Sequence, residues 1–146
     1  MIPSSCSNAA LRRATRRLGQ LYDDVLKPSG LKATQFTLLS RLIRYGSPTM
    51  GILAAELVMD RSALSHTLAP LIARGLVRHA ADPADRRSRR VSLTDKGRRT
   101  LDKAEGLWQQ AEGKFESAFG AHAAIELRRL LDQIATPDFA AEFRKR

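Results

Sequence analysis

Between Ser7 and Lys27 the apolar residues Leu11, Ala14, Leu18, Leu21, Tyr22, Val25 and Leu26 recur every three or four positions, the spacing that lines one side of an α-helix. The run Lys27-Pro28-Ser29-Gly30 predicts its end, because proline cannot donate to the helical ladder and glycine adopts the positive φ of a helix exit. A second helix is expected from near Thr34, with Phe36, Leu39, Leu42 and Ile43 on its apolar face and with Gly46 and Pro48 as the stop. Thr49 is placed to cap a short helix to Leu57 that turns Ile52, Leu53 and Leu57 inward. Asp60 is placed to cap another, Arg61 to Arg74, that buries Leu64, Leu68, Leu71 and Ile72 and exits at Gly75. Two short helices with a tight link predict a helix-turn-helix, and Pro70 predicts a bend inside the second.

After Gly75 the period falls to two. Val77 and His79 alternate with Arg78, and Val91 and Leu93 alternate with Arg90 and Ser92, which predicts a β-hairpin. Its charged loop runs from Asp82 to Arg89, with Pro83 barring a regular ladder there. Thr94-Asp95-Lys96-Gly97 opens a second long helix whose stripe is Leu101, Ala104, Leu107, Trp108, Ala111, Phe115 and Phe119. Gly120 interrupts it, and Ile125, Leu127, Leu130, Leu131 and Ile134 define a last helix before Thr136-Pro137, followed by a tail ending in Arg144, Lys145 and Arg146. The fold class expected is mainly α with a small β-hairpin.

At 146 residues the chain makes one compact domain or two small lobes, and it buries enough surface to need no disulfide or metal. Its single cysteine, Cys6, excludes an internal disulfide framework and a cysteine-built zinc site. No apolar run approaches membrane-spanning length and Arg12 and Arg13 interrupt any signal-peptide core, so a soluble, cytoplasmic protein away from membranes is expected. His66, His79 and His122 lack metal-ligand spacing, there is no glycine-rich phosphate loop, and no nucleophile has a base and an orienting partner. An enzyme is therefore not expected, nor a metal or cofactor. The formal charge of +10 points instead to a polyanionic partner. Eleven basic and five acidic residues fall between Asp60 and Lys103, a net of +6, so most of the excess sits on the helix-turn-helix, the hairpin and the helix start beyond it.

Three blocks in order carry a resemblance: Gly75-Leu76-Val77-Arg78, then Asp82-Pro83-Ala84-Asp85-Arg86-Arg87, then Val91-Ser92-Leu93-Thr94-Asp95-Lys96-Gly97. Together they resemble the wing signature of the multiple-antibiotic-resistance regulator (MarR) family. Upstream, Gly30-Leu31 with Thr34-Gln35-Phe36 and Leu38-Leu39, and then Asp60-Arg61-Ser62-Ala63-Leu64, resemble that family's second helix and recognition helix. The likeness runs from Leu11 to about Leu131. It implies a homodimer with intertwined terminal helices: a dimerisation helix in residues 7–30, a winged helix-turn-helix in 31–97 with its wing in 77–93, and C-terminal dimerisation helices in 98–146. It further implies a sequence-specific regulator of transcription, most often a repressor, on a pseudo-palindromic site in double-stranded DNA. A constitutive architectural DNA-binding protein is the alternative that the charge pattern also permits.

In a helix-turn-helix the N-terminal turns of the second helix reach base edges in the major groove. Those positions are Arg61, Ser62, Ser65 and His66. Arg61 suits guanine or a phosphate, the serines suit bases, phosphates or plain solvent, and His66 donates or accepts. Arg87 falls on the family's wing-tip arginine, which resembles an arginine entering the minor groove. Asp85, two residues earlier, is expected to orient Arg87 as an ion pair in the family's Asp-x-Arg pattern, with turn capping as the alternative. Arg86, Arg89 and Arg90 are phosphate contacts or solvated charge. Family members also respond to small phenolic or other effectors in a pocket between dimerisation helices and DNA-binding lobe. For such an effector Tyr22 is a pocket candidate or a core residue, and Arg12, Arg13, Arg16 and Arg17 form a basic strip that would attract an anion or face solvent. Cys6, just before the first helix among Ser4, Ser5 and Ser7, is an oxidant-sensing thiol or a tail residue without a role.

Overall fold

The structure is a computed structural model, and it describes residues 6–145; Ser4, Ser5 and Arg146 lie outside them. The elements are α1 (Ser7–Leu26), a 3-10 turn (Lys27–Ser29), α2 (Ala33–Tyr45), α3 (Met50–Glu56), α4 (Arg61–Ala73), β1 (Val77–Ala81), β2 (Arg89–Leu93), α5 (Asp95–Phe119), α6 (Ala121–Ile134) and α7 (Pro137–Phe143). By packing, the chain divides into two compact units, Met1–Gln109 and Gln110–Arg146.

The first unit is built on one core. Leu26 of α1, Phe36, Leu38, Leu39 and Leu42 of α2, Leu53 of α3, and Leu64, Leu68 and Leu71 of α4 are buried together with Val77 and Val91 of the hairpin and Leu101 and Ala104 of α5. Phe36 stacks on Trp108 with ring centroids 5.6 Å apart, joining α2 to α5. Leu21 of α1, Ile43 of α2 and Ile52 of α3, expected inward, do not belong to this core. All three are exposed; on α2 and α3 the inward places are taken by Leu42 and Leu53, one position from Ile43 and Ile52.

The helix ends are set by local chemistry. Thr49 Oγ1 accepts the Ile52 N–H at 3.3 Å, and Asp60 Oδ1 accepts the Ala63 N–H at 2.7 Å. α4 continues through Pro70 and closes in a Schellman arrangement: Gly75, at φ +69°, donates to Ile72, while Leu76 donates to Leu71. The hairpin then pairs antiparallel, Val77 with Leu93, His79 with Val91 and Ala81 with Arg89. The ladder ends before Pro83, which has no N–H to contribute. At its base Thr94 donates to the Gly75 carbonyl and accepts the Gly97 N–H, and Lys96 Nζ donates to the Arg74 carbonyl at 2.8 Å. Gly97 is buried where α5 passes the Leu76 carbonyl so closely that a Cβ would overlap it.

In the second unit Arg128 of α6 bridges Glu112 and Glu116 of α5 at 3.3 and 3.1 Å, and Ala111 and Ala124 are buried. The segment after Thr136, read as a tail, is the helix α7. Thr136 Oγ1 accepts the Phe139 N–H at 3.1 Å and Pro137 occupies the first turn, so the pair read as a stop is also a start. Phe119, Ile125, Leu130, Ile134, Phe139 and Phe143 of this unit are exposed.

Candidate nucleic-acid interface

The Asp60 cap fixes where α4 begins, and so the direction of its first side chains. Arg61, Ser62, Ser65 and His66 are all exposed. Arg61 and Ser65, four residues apart, share a face; Ser62 and His66 share the adjoining one. The turn before α4 holds Val58 at φ +52°, a left-handed conformation unusual for a β-branched residue.

The hairpin loop is folded by its own aspartates. Asp82 Oδ1 accepts the Ala84 N–H and Asp85 Oδ1 the Arg87 N–H, each at 3.0 Å, while Asp82 and Ser88 close the loop through their backbones at 2.9 Å. The expected Asp85–Arg87 ion pair is not formed: the carboxylate turns back onto the Arg87 backbone, and the guanidinium is left to the cleft described next. The ion pair of the wing is Arg90 Nε with Asp82, at 3.1 Å. Ala84's N–H and Arg90 hold the Asp82 carboxyl below the usual range of an aspartate, against the opposing effect of its burial. Arg90 Nη1 also donates to the Ser47 carbonyl at 2.7 Å, and the Val91 N–H to the Pro48 carbonyl at 2.9 Å. Arg90, read as a phosphate contact or a solvated charge, is thus a strut between the wing and the loop that precedes α3.

Arg61, Ser65, Leu68, Ala69 and Ile72 of α4, Met50 of α3, and His79, Arg87, Ser88 and Arg89 of the hairpin line one cleft of about 390 Å³. Four of the sequence-derived site residues, Arg61, Ser65, Arg87 and Arg89, therefore meet at one place. Arg61 passes Gly51, where a Cβ would stand 3.2 Å from Nη2 of the guanidinium. Ser62, His66, Asp85 and Arg86 are exposed outside this cleft. His79 was read from the sequence only as a strand residue alternating with Arg78 and as a histidine without metal-ligand spacing, not as part of this site; its register with Val91 puts it on the face that carries Val77. Three guanidinium groups, an imidazole and two hydroxyls over an apolar floor suit a phosphodiester rather than covalent chemistry. Among the described residues no group of His, Cys, Asp and Glu stands together to hold a metal ion.

The remaining candidates lie elsewhere. Cys6 is exposed at the N-cap of α1, and its side chain makes no cap hydrogen bond. Tyr22 is half-buried in the wall of a cleft of about 550 Å³ with Leu18, Thr37, Leu38, Leu57 and Thr67. A cleft of about 440 Å³ between α2 and α5 is lined by Phe36, Arg41, Leu101, Asp102, Glu105 and Trp108, of which the sequence offered Phe36, Leu101 and Trp108 only as helix-stripe residues. Arg12, Arg13, Arg16 and Arg17 are exposed on α1. No helix among the described residues is long and apolar enough to cross a membrane.

No curated protein matches the chain. Residues 29–88 match the sequence model of the MarR family. Among solved structures, the transcriptional regulator MOSR of M. tuberculosis in complex with DNA is 36% identical at a TM-score of 0.84, over 97% of this chain and all of that one. The transcriptional repressor CouR bound to a 23-mer DNA duplex is 30% identical at 0.81, over 91% of this chain and 94% of the other. CouR from Rhodococcus jostii RHA1 bound to p-coumaroyl-CoA shares the fold at 23% identity and 0.76, over 92% and 94%. With the hairpin, the capped helix pair and this likeness along nearly its whole length, the chain belongs to the MarR family of transcriptional regulators.

Proposed function

We propose that this protein is a homodimeric, cytoplasmic regulator that binds a pseudo-palindromic site in double-stranded DNA and represses transcription until a small effector releases it. The observation that carries the reading is the single cleft in which Arg61 and Ser65 of α4 meet Arg87 and Arg89 of the wing. In this reading the N-terminal turns of α4 enter the major groove, where Arg61 bonds guanine or phosphate and Ser62, Ser65 and His66 meet base edges or backbone. Arg87 enters the adjacent minor groove, whose narrow width concentrates negative potential, while Arg86 and Arg89 neutralise phosphates. Asp85 sets the loop from which Arg87 projects. MOSR and CouR, both solved with DNA, support this use of the fold.

The exposed apolar side chains of α5, α6 and α7 suit burial against a second copy of the chain. The cleft of Phe36 and Trp108 and the cleft of Tyr22 both border α2, so an effector in either would press on the lobe that carries α4. CouR, solved with p-coumaroyl-CoA, is a precedent for a ligand on this fold.

Selection of duplexes from a random pool by the purified protein, followed by gel shifts with competitor DNA, tests the proposal. A recovered pseudo-palindrome bound at least about a thousandfold more tightly than random duplex is expected. Equal affinity for all sequences would favour the architectural alternative.

A further inference from the structure

His79 shares its sheet face with Val77, Val91 and Leu93, all packed in or against the core, and stands where that face opens into the cleft beneath α4. The charged groups that face it there are all cations: Arg61 from α4, Arg87 from the loop and Arg89 from β2. α3 contributes only Met50, and α4 adds the neutral Ser65. Among the described residues no carboxylate lines the cleft. Asp60 caps α4, Asp82 is held by Ala84 and Arg90, and Asp85 is held by the Arg87 backbone. His79 itself has no hydrogen-bond or ionic partner among the described residues.

We infer that His79 is a proton-linked phosphate ligand: DNA binding in this cleft places a proton on its imidazole, so affinity rises as pH falls through the histidine range. The inference rests on the DNA-binding reading above. A phosphodiester seated in the cleft among Arg61, Arg87 and Arg89 brings a negative charge to His79, and the imidazolium becomes one more charge-assisted donor to it. Because the complex then holds more protons than its separated parts, lower pH favours the complex, by at most about tenfold per pH unit for one proton.

The experiment is fluorescence anisotropy between about pH 8 and about pH 6, at fixed ionic strength, with a labelled duplex recovered by the selection above. The wild type is expected to tighten by about threefold to tenfold across that interval. His79→Gln should lose that gain and stay at the weak level, whereas His79→Arg should bind tightly at both ends. His122→Gln, which alters an exposed histidine of α6 that does not line the cleft, should keep the wild-type slope. Calorimetry in PIPES and in imidazole buffer should register proton uptake by the wild type and none by His79→Gln, a readout that a purely structural role would not move. Wild-type pH dependence retained in His79→Gln, or affinity independent of pH in the wild type, overturns the inference while leaving DNA binding intact. A protein that binds no duplex at any pH overturns both.

Discussion

Val58 holds a left-handed backbone with a branched, largely exposed side chain in the turn between α3 and α4, so its strain is not repaid by burial. Val58→Asn, a residue that tolerates this conformation, should stabilise the protein by about 0.5–1 kcal/mol, read as a higher midpoint in urea denaturation. Gly97 is the opposite case: its missing side chain is what lets α5 pass the Leu76 carbonyl. Gly97→Ala should cost about 1–3 kcal/mol in the same measurement, because backbone must move to admit the methyl group. Among the described residues Arg87 has no structural partner for its guanidinium. Arg87→Ala should therefore leave the melting curve unchanged, weaken duplex binding markedly, and lower the slope of log affinity against log salt by about one. Unchanged affinity would remove the wing from the proposed mechanism.

At the scale of elements, the wing depends on Asp82 and Arg90. The Asp82 carboxyl titrates below its unfolded value, because Ala84's N–H and Arg90 favour the charged form. Its contribution to wing order is therefore complete above the unfolded value, about 3.9, and is lost as pH falls below that through the folded value. The loop amides should be protected from hydrogen exchange at neutral pH and lose that protection selectively in acid, measured against their intrinsic exchange rate at each pH. Asp82→Asn should loosen the loop already at neutral pH and weaken DNA binding without changing the salt slope, since no phosphate-contacting cation is lost; a reduced slope would mean that Arg90 meets DNA after all. Much at this scale was legible in the sequence. The caps Thr49 and Asp60, the exit at Gly75 and the change of period after it are encoded within a few residues, and each element begins or ends where they indicate. What was not legible depends on partners distant in sequence. Whether Arg90 faces DNA or Ser47, and whether the Asp85 carboxylate meets a guanidinium or a backbone N–H, is decided by how the loop closes. Thr136-Pro137 misled for another reason: proline stops one helix and starts the next with equal ease, and only the Thr136 cap distinguishes the two.

For the whole molecule, charge and apolar surface point to different partners. The +10 charge draws a polyanion, whereas the exposed phenylalanines and leucines of α5 to α7 suit another copy of the chain. Part of the charge count is structural: Arg74 donates to the Gly30 carbonyl, Lys96 caps the Arg74 carbonyl at the base of the wing and Arg90 braces it, so the proposed reading surface narrows to the cleft and the face of α4 beside it. The central claim is that two such surfaces, one from each copy, engage successive turns of one duplex. Hydroxyl-radical footprinting of the selected duplex tests it most directly. The account predicts two symmetric protected patches centred about one helical turn apart, and a single patch or uniform protection would contradict it.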